Sequence, residues 1–228
     1  MAFASSSTFG SLKTKISKKL IDASQTAISN SDVGDALNDA LHYWKQRRFW
    51  FNEGKTTITM DTKDPFVLTY GNTEPAYPSA PVLPQNFLYE LPKDGFVILY
   101  SNLSYRFEKV NPSRLDDESV NGVGIPYMYC FRNGNFEFYY LPNMNYTMQV
   151  NYVKDYPDFV ADIDTNDFTK YADRLIMYEA LAHLMGENRQ DDAQDNNFAG
   201  KADREFRLLQ KRSGSSVTSG NLETRNIL

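Results

Sequence analysis

The sequence predicts an α+β chain: a four-helix bundle hub, an inserted antiparallel, aromatic-rich β domain and a flexible C-terminal tail. Three observations carry that reading. The 228 residues include 15 Phe, 15 Tyr and 2 Trp, and 25 of these aromatics fall between Tyr43 and Phe159. Aromatic side chains favour pleated, half-buried surfaces, so the middle of the chain reads as strand. On either side of it, apolar residues recur at helical spacing instead. Beyond residue 212 neither period persists, and Ser, Gly and Asn dominate. The expected boundaries are 1–53 and 161–212 for the helices of the hub, 54–160 for the inserted β domain and 213–228 for an extended tail.

In the first helical segment Leu12, Ile16, Leu20 and Ala23 form one stripe, and Lys13, Lys15, Lys18 and Lys19 fall outside it. Ser29, Asn30, Ser31 and Asp32 then interrupt the pattern and offer N-cap side chains. A second helix follows with Val33, Ala36, Leu37, Ala40, Leu41 and Trp44, ended by the Arg-Arg-Phe-Trp-Phe run at 47–51 and by Gly54. From Lys55 the apolar period changes to two. Segments 57–60 and 66–68 read as strands paired about 62–65. Pro75, Pro78, Pro81 and Pro84 forbid a central strand over 71–86, because proline has no amide to donate, so this stretch reads as a long loop. Further strands are expected at 95–101, 105–110, 126–132, 135–141 and 146–154. Asn133-Gly134 is the sharpest hairpin signal, since a type I′ turn needs positive φ at both central positions.

In the C-terminal flank, Asp167 is expected to cap a helix from 168 to about 185, with Tyr171, Leu175, Tyr178, Ala182 and Met185 on one stripe. Gly186 would be its C′ residue. Another helix starts at Asp191 or Asp192 and carries Phe198, Ala202, Phe206 and Leu209 on one face. Segment 213–228 is too polar to bury a core and reads as disordered in isolation.

Charge and composition narrow the function. With 24 Lys+Arg against 29 Asp+Glu the formal charge is −5, which argues against a dedicated DNA-binding module. No 18-residue apolar run is present, so no membrane span is expected. The first residues lack the basic and apolar regions of a signal peptide. A single cysteine, Cys130, excludes an internal disulfide framework, and between Tyr129 and Phe131 it reads as a small buried hydrophobe.

Catalytic candidates are weak. Segment 162–173 opens D-x-D-x-N like a calcium loop, but the positions that need Gly and a bidentate Glu hold Asp167 and Asp173. An acidic loop capping the next helix accounts for it without a metal. His42 and His183 are the only histidines, and neither stands near a nucleophile or in an HExxH frame. Asp116, Asp117 and Glu118 would serve glycan cleavage only if two acids faced each other across a cleft. Gly122-Val123-Gly124 lacks the third glycine and following helix of a dinucleotide site. No catalytic residue, cofactor or metal is therefore expected. The lysines at 13, 15, 18 and 19 are candidates for meeting phosphates or an acidic partner.

The order of motifs says more than any one of them. Trp44-Lys45-Gln46-Arg47-Arg48-Phe49-Trp50-Phe51-Asn52-Glu53 passes into a Thr-rich strand, then come Leu83-Pro84-Gln85-Asn86-Phe87 and Leu115-Asp116. Gly124-Ile125-Pro126-Tyr127-Met128-Tyr129 precedes the hairpin, followed by Leu141-Pro142-Asn143-Met144-Asn145-Tyr146-Thr147, Tyr152 and Tyr156-Pro157. Tyr171-Ala172-Asp173-Arg174-Leu175-Ile176 then opens an Ala-rich helix. From about residue 32 to 210 this order resembles the head-to-tail adaptor (head completion, tail tubular or tail accessory) proteins of short-tailed bacteriophages. In that family little separates the first strands from the L-P-x-[DN]-F element, whereas here the proline-rich 71–82 stretch is inserted.

The resemblance implies a structural virion protein without catalysis, made in the host cytoplasm and placed at the portal vertex. Copies would form a ring, commonly dodecameric, beneath the portal protein, and this ring would carry the distal tail (nozzle) protein. It would extend the DNA channel and help retain the genome, the DNA passing without specific binding because net negative charge disfavours phosphate contact. Leu222, Arg225, Ile227 and Leu228 would anchor the tail on a partner, ordering as they bind. The alternative, drawn from the aromatic strands and the acids at 116–118, is a glycan-binding or glycan-cleaving tail component.

Overall fold

The computed structural model describes residues 7–23, 28–62, 67–69, 82–117, 122–188 and 192–221. Two compact units divide the chain, Met1–Asn52 with Tyr156–Leu228, and Glu53–Asp155. The helices among the described residues are α1 (Phe9–Ala23), α2 (Asn30–Lys45), α3 (Pro112–Asp117), α4 (Asp167–Tyr171), α5 (Asp173–His183) and α6 (Asp192–Asn221). All but α3 belong to the first unit.

In that unit α1 turns Phe9, Leu12, Ile16 and Leu20 into the core. Ser29 caps α2: its hydroxyl accepts from the Asp32 amide at 3.1 Å, and the Asp32 carboxylate accepts from the Ser29 amide at 3.2 Å. After α2 the chain turns on Asn52, which is fully buried. Its Oδ1 accepts from the Phe49 amide and its Nδ2 donates to the Arg47 carbonyl, both at 2.8 Å. This turn buries Phe49 and Phe51, whose rings stack at 5.1 Å and meet Phe168 edge-on. The aromatic run that ends α2 is therefore core.

The expected four-helix bundle hub is corrected here. Six helices and eleven strands are described, giving an α+β chain. The segment expected as one helix from 168 to 185 breaks at Ala172 (φ −134°, ψ 27°) into α4 and α5. Asn166, one residue ahead of the expected cap, starts α4, because its position matches a partner three residues on. Its side chain accepts from the Thr169 amide while Thr169 Oγ1 accepts from the Asn166 amide, each at 3.0 Å. Past His183 the helix widens into a π-helical turn, Leu184–Asn188, so Gly186 lies inside a turn of helix and is no C′ residue.

Of the expected tail, 213–221 is helical and 222–228 lies outside the described residues. α6 continues through Ser213 to Asn221. Buried Phe198, Ala202 and Leu209 fix its first part, and extending a formed helix avoids the cost of nucleating one. Ser213 joins the fold directly, donating to the Leu209 carbonyl at 3.1 Å and accepting from the Trp50 amide at 3.4 Å.

The second unit holds strands β1 (Glu53–Met60), β2 (Val67–Thr69), β3 (Phe87–Glu90), β4 (Phe96–Tyr100), β5 (Leu103–Arg106), β6 (Glu108–Lys109), β7 (Val123–Gly124), β8 (Met128–Arg132), β9 (Asn135–Tyr139), β10 (Leu141–Pro142) and β11 (Tyr146–Lys154). One sheet runs β1-β11-β4-β5, with β3 also paired to β11; a second runs β2-β9-β8-β6; β7 and β10 make a third. The β8–β9 hairpin turns through Asn133 (φ 51°) and Gly134 (φ 78°), which sets Arg132 opposite Asn135.

Three strand expectations change. β1 pairs along its whole length with β11, from Glu53 opposite Val153 to Met60 opposite Tyr146, while β2 pairs with β9, so 57–60 and 66–68 do not pair with each other. The longer β11 buries Tyr146, Met148, Val150 and Tyr152 and offers β1 more surface than the three residues of β2. The β domain is not wholly antiparallel, since β6–β8 and β7–β10 are parallel. Segment 105–110 divides between two sheets at buried Phe107, where the chain leaves the first sheet for the second. The Phe96 ring lies 4.9 to 5.1 Å from those of Tyr129, Phe136 and Phe138 and centres the core. Of the expected 71–86 loop, 71–81 lies outside the described residues.

Candidate partner interface

The N-terminus of α1 is tied to the loop before α4: the Phe9 amide donates to the Asp164 carbonyl at 3.0 Å and the Gly10 amide to the Asp162 carbonyl at 2.9 Å. This contact decides what the four candidate lysines do. Lys13 pairs with the Asp162 carboxylate and lies 4.6 Å from the centre of the Phe9 ring. Lys15 donates to Ser7 Oγ at 2.9 Å and stands 3.4 Å from Asp173 Oδ2. Lys19 stands 6.0 Å from the Tyr178 ring centre, and Lys18 is exposed with no ion pair among the described residues. Two lysines thus serve the fold and two face outward. Between Lys13, Lys18, Asn30 and Asp162 lies an open cavity of about 250 Å³.

The loop itself is tightly built. Asp164 Oδ2 accepts from the Val160 and Ala161 amides, both at 2.7 Å, and these bonds hold its carboxyl below the usual carboxylate range. Asn38 clamps Phe159, accepting from its amide at 2.9 Å and donating to its carbonyl at 3.2 Å. The Phe159 ring stacks on Phe9 at 5.1 Å, and His42 Nε2 lies 2.7 Å from Asp158 Oδ1. On this frame Val160 and Ile163 are 87% and 83% exposed.

The acids of the D-x-D-x-N segment are directed apart. Asp162 meets Lys13, Asp164 its own loop, Asp167 the Tyr156 hydroxyl at 2.7 Å, and Asp173 Lys15. Among the described residues, no three His, Cys, Asp or Glu side chains are grouped to hold a metal ion. His183 lies half-exposed with Nε2 3.7 Å from Glu179 Oε1. Glu179 accepts from Trp44 Nε1 at 3.2 Å; burial pushes its carboxyl above the usual range, with His183 and the Trp44 bond opposing. Burial and the Asp167 contact push the Tyr156 hydroxyl up, and burial with Glu90 does the same to Tyr129. Cys130 is buried beside Val110 and Met128. Asp116 and Asp117 close α3, while Glu118 lies outside the described residues. Val123-Gly124 forms β7. Leu222, Arg225, Ile227 and Leu228 also lie outside the described residues.

Sequence reasoning passed over Asn38, Asn52, Val160 and Ile163. The only signal for the last two was a pair of β-branched residues set among aspartates with no period to bury them. No described helix is long and apolar enough to cross a membrane.

The class of protein is a structural adaptor of a phage virion, one that works with other head and tail components. The family is that of the SU10 adaptor protein: the chain matches it over residues 7–225 and belongs to it. The match spans both units. No curated protein matches the chain significantly.

Proposed function

We propose that this chain is the head-to-tail adaptor whose copies close into a ring, dodecameric in the reading favoured here, between the portal protein and the distal tail (nozzle) protein. The observation that carries it is the family match over residues 7–225. The ring extends the DNA channel and helps retain the packaged genome. A net charge of −5 lets the duplex slide, because like charge weakens phosphate contact. Portal contact falls to Lys18 and Lys19, with Lys13 and Lys15 beside them, and to Leu222, Arg225, Ile227 and Leu228, which order on the portal. Electron microscopy of the full chain, alone and mixed with the portal protein of the same phage, tests this. Rings, or rings seated on portals, are expected; an unassembled chain in both samples would overturn the proposal.

A further inference from the structure

We infer that the 156–166 loop of one copy seats on the outer face of α6 of the next copy, and that this contact propagates the ring; the inference rests on the ring reading above. Both surfaces belong to the helical unit, and each has an apolar centre among charges mostly of one sign. On the loop the centre is Val160 and Ile163, 87% and 83% exposed. Segment 156–167 contains Asp158, Asp162, Asp164 and Asp167 and no Lys or Arg, with Lys13 offsetting part of that charge. The hydrogen bonds of Asp164 and Asn38 already fix the loop, so little ordering remains to be lost on binding.

On α6, Lys201, Arg204, Leu208 and Lys211 are spaced three, four and three residues apart and share one stripe, Lys201 at its edge with Nζ 4.8 Å from the Phe198 ring centre and 5.9 Å from that of Tyr178. Phe198, Ala202 and Leu209 of the same helix are buried, while Leu208 is 44% exposed. Arg204 and Lys211 are exposed and have no ion pair among the described residues. From 201 to 212 there are five basic residues against two acidic. Acidic rim meets basic stripe, and the two β-branched side chains meet Leu208. The patches are different parts of one chain, so the contact is heterologous: each copy offers one to each neighbour, which builds a ring where a self-complementary patch would build a dimer.

Single-cysteine additions test the contact, since the native Cys130 is fully buried. I163C and L208C are mixed in equal amounts and gently oxidised in whichever sample shows rings. The mixed pair is expected to cross-link about tenfold more than either variant alone, because only the mixture brings the two positions together. Rings that yield no such excess would overturn the inference and leave the ring reading standing; absence of rings in every sample would end both. In parallel, R204E/K211E is expected to weaken self-association about tenfold while retaining the wild-type melting temperature, as loss and reversal of exposed ion pairs would do. Unchanged association in that folded variant would also overturn the inference.

Discussion

Asn52 illustrates how much of this fold hangs on single polar side chains. It is fully buried and holds the Phe49 amide and the Arg47 carbonyl of that turn. Asn52→Ala removes both bonds, at a cost of about 2–4 kcal/mol that chemical denaturation would read. A loss well under 1 kcal/mol would contradict the role assigned to the turn. Glu179 gives a test with a sign. Burial raises its folded-state pKa above the usual 4.5, so its stabilising contribution is complete below that value and is lost as pH rises through the folded pKa. Glu179→Gln keeps an acceptor for Trp44 and removes the ionisation. Its stability relative to wild type is therefore expected to improve from pH 4 to pH 7, followed by thermal melts at each pH; a difference that stays flat or shrinks over that window would refute the cause given. At this scale the sequence showed the lysines but not their fate, because the partners are remote: Lys15 and Asp173 stand 158 positions apart.

Among the elements, local signals were legible and non-local ones were not. Leu12, Ile16 and Leu20 on α1, the Ser29 cap of α2 and the Asn133-Gly134 turn each depend on residues a few positions apart. The pairing of β1 with β11 joins segments at opposite ends of the insertion, and no period within either strand encodes its partner. The break at Ala172 escaped notice because the apolar stripe runs straight across it. The helical C-terminal part of α6 was not legible from composition, since it extends a helix fixed by the buried residues before it. Two truncations separate order from docking. Removing 222–228 is expected to leave the melting temperature unchanged and to weaken portal binding. Removing 213–228 also strips the Trp50 amide of Ser213 and is expected to cost about 1 kcal/mol. Unchanged portal binding in both would remove the C-terminal anchors from the proposal.

At the scale of the whole molecule, two units each carry their own aromatic core, one around Phe49, Phe51 and Phe168 and one around Phe96. The β unit begins and closes on paired residues, Glu53 opposite Val153, so an insertion of this size leaves and rejoins the helical segments through adjacent strands. The α+β class was legible from the distribution of aromatics, whereas the number of helices was not. Lys18, Lys19, Val160, Ile163 and Leu208 are among the exposed residues of the helical unit, and the proposal assigns them to contacts with other proteins. The most direct measurement is particle imaging of the purified full chain with the portal protein of its own phage. A closed ring of this chain stacked coaxially on the portal is the expected result, and portals that remain bare beside an unassembled chain would contradict it.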